Sequence, residues 1–197
     1  MLAFVGSRTT RERQARGVGL SVYSVDPRHG HWTLRQTIAL INPSYLLSDA
    51  ARRTLYAVHG DYSDVSSLAV EVDGRLQLLS QRSTRGRNPV HLDMSADRRH
   101  LVVANYASGS VSALSVGAKG ELVDPVATLQ LDGVPGPVRA DQSGSHPHQA
   151  IRWPGTDLFI VPNKGLDRVH VVKLASTGEL SLAGEAVAAP GAGPRHA

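Results

Sequence analysis

Three landmarks recur along this chain at one interval, and that recurrence constrains the fold more than any single residue does. The first is an X-Pro-X segment: Asn42-Pro43-Ser44, Asn88-Pro89-Val90-His91, His146-Pro147-His148 and Gly193-Pro194-Arg195-His196, with proline steps of 46, 58 and 47. The second is a short apolar run at residues 55–59, 101–105 and 158–162, with leucine steps of 46 and 57. The third is a turn into a strand, Gly74-Arg75-Leu76, Gly120-Glu121-Leu122 and Gly178-Glu179-Leu180, with leucine steps of 46 and 58. The series share a period of about 46, and each lengthens by 11 or 12 residues at the same interval. One insertion explains all three, and the Gly- and Pro-rich stretch 133–144 supplies it. A fixed period of this size marks a repeated supersecondary unit.

Each unit reads as four strands. In the third copy Gln149-Ala150-Ile151 follows the proline. Residues 158–161 form a buried apolar run, residues 168–174 are rich in β-branched side chains, and residues 180–186 lead to the next proline. Pro154-Gly155, Asp73-Gly74, Ser108-Gly109 and Thr177-Gly178 supply turns. No window shows the i, i+3, i+4, i+7 spacing of a long amphipathic helix, and one short helical turn is expected at 48–53. Four strands at a period of 40 to 50 residues indicate β-propeller blades. The expected fold is therefore all-β: a β-propeller of four-stranded blades, about four present, forming a single domain over 1–197. The first unit is the weakest, with Phe4-Val5-Gly6, residues 19–25 and residues 30–34 as its strands and turn. The repeat breaks off just after its fourth proline, which reads as an interruption, and open sheet edges make self-association an expectation.

Composition narrows the partners. There is no cysteine, which removes disulfides, thiolate chemistry and zinc–cysteine sites. The net charge of +4 comes from scattered arginines, and the nine aromatic residues do not interleave with them as a base-stacking surface requires. No nucleic-acid partner is expected. No apolar run approaches the roughly 20 residues that span a bilayer, and the start of the chain lacks a signal-peptide core. The expectation is a soluble, cytoplasmic protein with no membrane partner.

Propeller geometry brings equivalent positions of successive blades around one axis. His91, His148 and His196 follow their prolines at equivalent or nearly equivalent places, so they are expected to face a common channel. Imidazole titrates near neutrality and serves as base or acid. Arginine holds a carboxylate or phosphate bidentately. For His91 and His59 the structural reading, a hydrogen bond to a neighbouring blade, is preferred. Asn105 and Tyr106 either line the channel or form a turn, and Lys164, Asp167 and Arg168 read as ion pairs between blades. His146 and His148 point the same way on an extended segment and could share a divalent ion. No nearby carboxylate completes such a site, so no metal is expected.

Residues 102–111, Ser145-His146-Pro147-His148, residues 161–169, Gly178-Glu179-Leu180 and residues 191–196 together resemble the lactonase family of seven-bladed β-propellers. That family includes bacterial propeller-type 6-phosphogluconolactonases and fungal carboxymuconate lactonizing enzymes. The resemblance implies a lactone-handling site near the propeller axis. His148 is implied as the proton-transferring residue and Arg195 as the anion-binding one, with His91, Asn105, His146 and His196 lining the pocket. It implies a small anionic lactone as substrate, no cofactor, and a chain that is incomplete relative to a seven-bladed ring, little more than its N-terminal half. Two alternatives accompany it: an inactive or truncated propeller used as a binding module, and a lactonizing cyclase. The sequence departs from the family at Asn163-Lys164, where Asp-Leu is usual, and at Trp153-Pro154-Gly155, where a turn with Asp-Pro is usual.

Overall fold

In the computed structural model, which describes residues 1–197, the chain runs through four antiparallel meanders. The first sheet is β1 (Leu2–Gly6), β2 (Leu20–Val25) and β3 (Trp32–Ile38). The second is β4 (Pro43–Asp49), β5 (Thr54–His59), β6 (Asp64–Val70) and β7 (Leu76–Ser83). The third is β8 (Pro89–Met94), β9 (His100–Asn105), β10 (Ser110–Val116) and β11 (Leu122–Gln130). The fourth is β12 (Ile151–Arg152), β13 (Leu158–Asn163), β14 (Arg168–Leu174) and β15 (Leu180–Val187). Strand order follows chain order in every sheet. The only helix is a single 3₁₀ turn, Arg11–Arg13.

The packing explains why the second strand of each middle sheet is buried throughout. Side chains alternate faces along a strand, so only a sheet covered on both sides buries every residue. Leu55 and Ala57 of β5 join Leu20 and Val22 of the first sheet in one core. Tyr56 and Val58, pointing the other way, join Leu92, Leu101 and Val103 of the third sheet in another. Val102 and Ala104 of β9 then meet Phe159, Val161 and Val172 of the fourth sheet. All six residues of β5 and of β9 are buried. In β13, by contrast, Phe159 and Val161 are buried while Leu158 and Ile160 are half-exposed, because only one face of that sheet is covered. The sheets therefore stack as successive blades around a common direction. The first strands β4, β8 and β12 adjoin in turn, and so do the last strands β7, β11 and β15.

Two details differ from the sequence reading. The first sheet has three strands, without a counterpart of β4, β8 and β12. The stretch 48–53 is not a helical turn: β4 runs to Asp49, and a tight turn follows. Asp49 accepts hydrogen bonds from the Ala51 and Arg52 amides and from the Arg52 guanidinium, and Arg53 takes a left-handed φ of 54°. A side-chain acceptor that engages the backbone locally competes with helix formation and favours such turns.

Candidate active site

The repeated proline sets the register of each blade's first strand. Pro43 lies opposite His59, Pro89 opposite Asn105 and Pro147 opposite Asn163, sixteen residues on in each copy. Proline has no N–H, so it suits the first position of an edge strand. Directly after Pro43 and Pro89 the pairing slips by one residue, a β-bulge. Bulges re-aim the side chains beside them. Past Pro43 and Pro89 the bulge thus re-aims the next two side chains at this end of the sheets.

The flanking positions do structural work. The residue before the proline reaches back to the preceding sheet. Asn42 accepts from the Thr9 amide at 2.8 Å, Asn88 accepts from the Asp61 amide at 2.7 Å, and His146 Nδ1 donates to the Tyr106 carbonyl at 3.0 Å. The backbone carbonyls of the same three residues accept from Gly60, Tyr106 and Lys164. The residue opposite the proline bonds within its own sheet, seven residues on: His59 to Ser66, Asn105 to Ser112 and Asn163 to His170. Asn105 is fully buried, with Gly86 packed against its amide and its Oδ1 without a partner. His146 has both ring nitrogens engaged, by Tyr106 and Ser143, and its ring stacks on Tyr106 at 4.5 Å.

The positions past the proline converge. His148 Nε2 accepts from Arg195 Nη2 at 2.8 Å, bridging the third and fourth proline segments. The His196 ring lies edge-on to His148 with centroids 5.2 Å apart, and the Tyr106 ring edge-on at 5.8 Å. His91, two past its proline as His196 is, packs its buried ring on Tyr45 at 4.1 Å. The Ala150 amide donates to its Nδ1 at 3.4 Å. The structure thus gathers His148, Arg195, His196 and His91, and holds Asn105 and His146 behind them. His148 is half-buried, while Arg195 and His196 are exposed, so the cluster is open to solvent on one side.

Burial is the largest influence on His148, and the positive charge of Arg195 adds to it, followed by His196, His91 and Lys164. Together they pull the imidazole down to about 4. Burial likewise takes His91 down to about 4, against an upward pull from Asp93. Both rings are neutral at physiological pH. Because Arg195 can only donate, neutral His148 carries its proton on Nδ1, a buried atom without a partner, and presents its lone pair at Nε2.

A family model described as a lactonase, 7-bladed β-propeller, matches residues 2–197. The chain belongs to the lactonase family of seven-bladed β-propellers. Among its relatives is a protein of Formosa agariphila named 6-phosphogluconolactonase, 28% identical over 210 residues, covering 98% of this chain and 56% of the relative. A 6-phosphogluconolactonase of Bacillus subtilis is 30% identical over 158 residues, covering 79% of this chain and 44% of its own length. The structure of the periplasmic gluconolactonase of Pseudomonas aeruginosa superposes with a TM-score of 0.85 at 30% identity, over 99% of this chain and 57% of that one. The chain therefore spans about half the length of the relatives it matches. No helix in this lactonase-family chain is long and apolar enough to cross a membrane.

Two participants went unremarked in the sequence. Tyr45 sits two past Pro43, the position of His91 and His196, so the repeat itself carried the signal. Asp141 lies in the insertion, where no repeat position marks it. The expected ion pairs between blades are corrected. Lys164 pairs with Asp141 of the insertion loop, and Arg168 with Glu185 on the neighbouring strand of its own sheet. Asp167 instead accepts from the Gly191 and Gly193 amides and from Gln142, tying the Arg195 segment to the fourth sheet.

The depressed histidines make the stability of this chain depend on acid. Below pH 6.5 an unfolded chain takes up protons at these rings, whereas the folded protein resists until about pH 4. Stability is thus fully present above 6.5 and falls as pH drops toward 4. His91, almost wholly buried, contributes on the order of 2 kcal/mol to that fall. Urea unfolding at pH 7.0 and 4.5 measures it. The loss on acidification is expected to shrink in His91→Gln, and an equal loss in both proteins would refute the assignment.

Proposed function

We propose that this chain carries the site of a lactonase that hydrolyses an anionic sugar lactone of the 6-phosphogluconolactone type. The observation that carries the reading is the His148–Arg195 pair, a neutral imidazole lone pair held by an exposed guanidinium on a family-matched scaffold. The names of the relatives support the substrate class.

In this reading the substrate's anionic group draws Arg195 away from Nε2 and into a charge-assisted pair. That frees the lone pair and, by offsetting the local positive charge, raises the basicity of His148. Water then attacks the lactone carbonyl carbon while Nε2 takes its proton. The carbonyl oxygen becomes an oxyanion, a charge that N–H donors stabilise. Collapse breaks the ring C–O bond, the departing ring oxygen takes the proton back from His148, and a hydroxy acid leaves.

The test is hydrolysis of freshly prepared 6-phosphogluconolactone by the purified chain, with carboxymuconate as the control for lactonizing chemistry. Turnover of the phosphorylated lactone above the spontaneous rate is expected. Turnover of carboxymuconate alone, or of neither compound, would overturn the reading.

A further inference from the structure

The insertion that breaks the repeat meets the site at Lys164. Its amide donates to the His146 carbonyl at 3.0 Å, and its carbonyl accepts from Gln142 Nε2 at 2.9 Å. Gln142 is itself buried, and its side chain also bonds Asp167 Oδ1 and the Val138 amide. The aliphatic stem of Lys164 packs under Gly193, two residues before Arg195. The backbone and stem of this lysine are thus held by the scaffold. It sits one past Asn163, where the second and third blades carry Gly60 and Tyr106, and its charge is felt at His148.

Its counter-ion is of the opposite character. Asp141 Oδ1 lies 2.6 Å from Lys164 Nζ, yet the Asp141 side chain is 60% exposed against 19% for Lys164. The Asp141 carboxyl is held below the usual carboxylate range, first by Lys164 and then, more weakly, by the field of Arg195. One carboxylate thus sits in the field of two cations, one of them built into the blade and the other at its rim. A scaffold-held, mostly buried cation with an exposed counter-ion is the arrangement expected of an exchangeable anion site.

We propose that Lys164 is a second anion-binding cation of this site and that Asp141 holds the place of a ligand's phosphate monoester until the ligand displaces it. Two cations facing one oxyanion suit a phosphate dianion better than a single carboxylate. The ligand's identity as a phosphorylated sugar acid or lactone rests on the lactonase reading, while the lysine's role does not.

Calorimetric titration of the chain with 6-phosphogluconate tests it without requiring turnover. Lys164→Met is expected to weaken binding about tenfold or more. Lys164→Arg, which keeps the charge and the stem, is expected to retain most of it. Asp141→Asn is expected to bind about threefold tighter, because an exposed competing ion pair is removed. Unchanged affinity in Lys164→Met, or weaker binding in Asp141→Asn, would overturn the proposal. Thermal melts of the four proteins show whether any loss of binding is a loss of folding. If the binding pattern appears but no lactone is hydrolysed, the anion site stands and the catalytic reading falls. If hydrolysis proceeds and Lys164→Met binds normally, the reverse holds.

Discussion

Replacing His148 with alanine is expected to lower kcat for lactone hydrolysis by about 10²- to 10⁴-fold, the range that a positioned general base supplies. The loss should fall on kcat rather than KM, because Arg195 remains to hold the anion. Arg195→Ala should show the complementary split, with KM rising as the charge-assisted pair is lost. The pH profile adds a signature that a structural role would not produce. In the free protein His148 faces Arg195, His196, His91 and Lys164, with Tyr106 edge-on, and that surrounding positive charge and burial hold it near 4. A bound anion offsets part of the charge, so the imidazole becomes more basic in the complex. The acid limb of kcat/KM, which reports the free protein, is expected near 4, and that of kcat at a higher pH. Coincident limbs, or a His148→Ala variant that turns over like the parent, would remove His148 from the mechanism.

The repeat made the blades legible before any coordinate. Proline, apolar run and Gly-X-Leu turn each mark a position that the fold reuses, and the sixteen-residue proline pairing shows that they mark the same one. The periodicity could not show that the first sheet lacks its first strand, because no proline landmark precedes β1. It also could not separate positions one residue apart. His91 and His196 are two past their prolines, whereas His148 and Arg195 are one past theirs. On a strand that difference exchanges faces, and a bulge intervenes before His91, whereas His148 and Arg195 lie outside the strands. The outcome, with His91 buried and His148 half-exposed, depended on packing that the spacing does not encode.

The clustering of the candidate residues was legible where a repeat position coincided with reactive chemistry, and not where the contact came from outside the repeat. His148 and Arg195 satisfied both conditions. Asn105 satisfied the first alone: its strand-end place is real, but its Nδ2 donates to Ser112, Gly86 packs against the amide, and its buried Oδ1 has no partner. Asp141 satisfied neither. It reaches Lys164 only because Gln142, one residue on, anchors the insertion to the fourth sheet. Long-range hydrogen bonds of this kind leave no local pattern in a sequence.

That anchoring yields the largest expected effect on stability, at Gly165. This residue has no left-handed φ, so alanine is conformationally allowed there, and the obstacle is steric. A Cβ at Gly165 would overlap the Gly144 carbonyl oxygen and press on the His146 ring, at 3.0 Å from Cδ2. Neither side can yield cheaply. His146 is held by Asn163 and Tyr106, Lys164 is bonded to the His146 carbonyl, and the Gly165 carbonyl accepts from Gly136. Overpacking against fixed backbone costs about 3 kcal/mol at its upper range, so Gly165→Ala is expected to lower Tm by about 6–12 °C for a chain of this size. Gly144→Ala is the matched control. A Cβ there meets nothing within 4 Å and the backbone is unstrained, so the change should leave Tm nearly unaltered or raise it slightly. Differential scanning calorimetry of the two variants decides the matter. If Gly165→Ala melts with the parent, the insertion is not pinned to the blade at this point. If it is pinned, the same substitution displaces Lys164 and His148 together, and 6-phosphogluconate binding should weaken well below the melting transition.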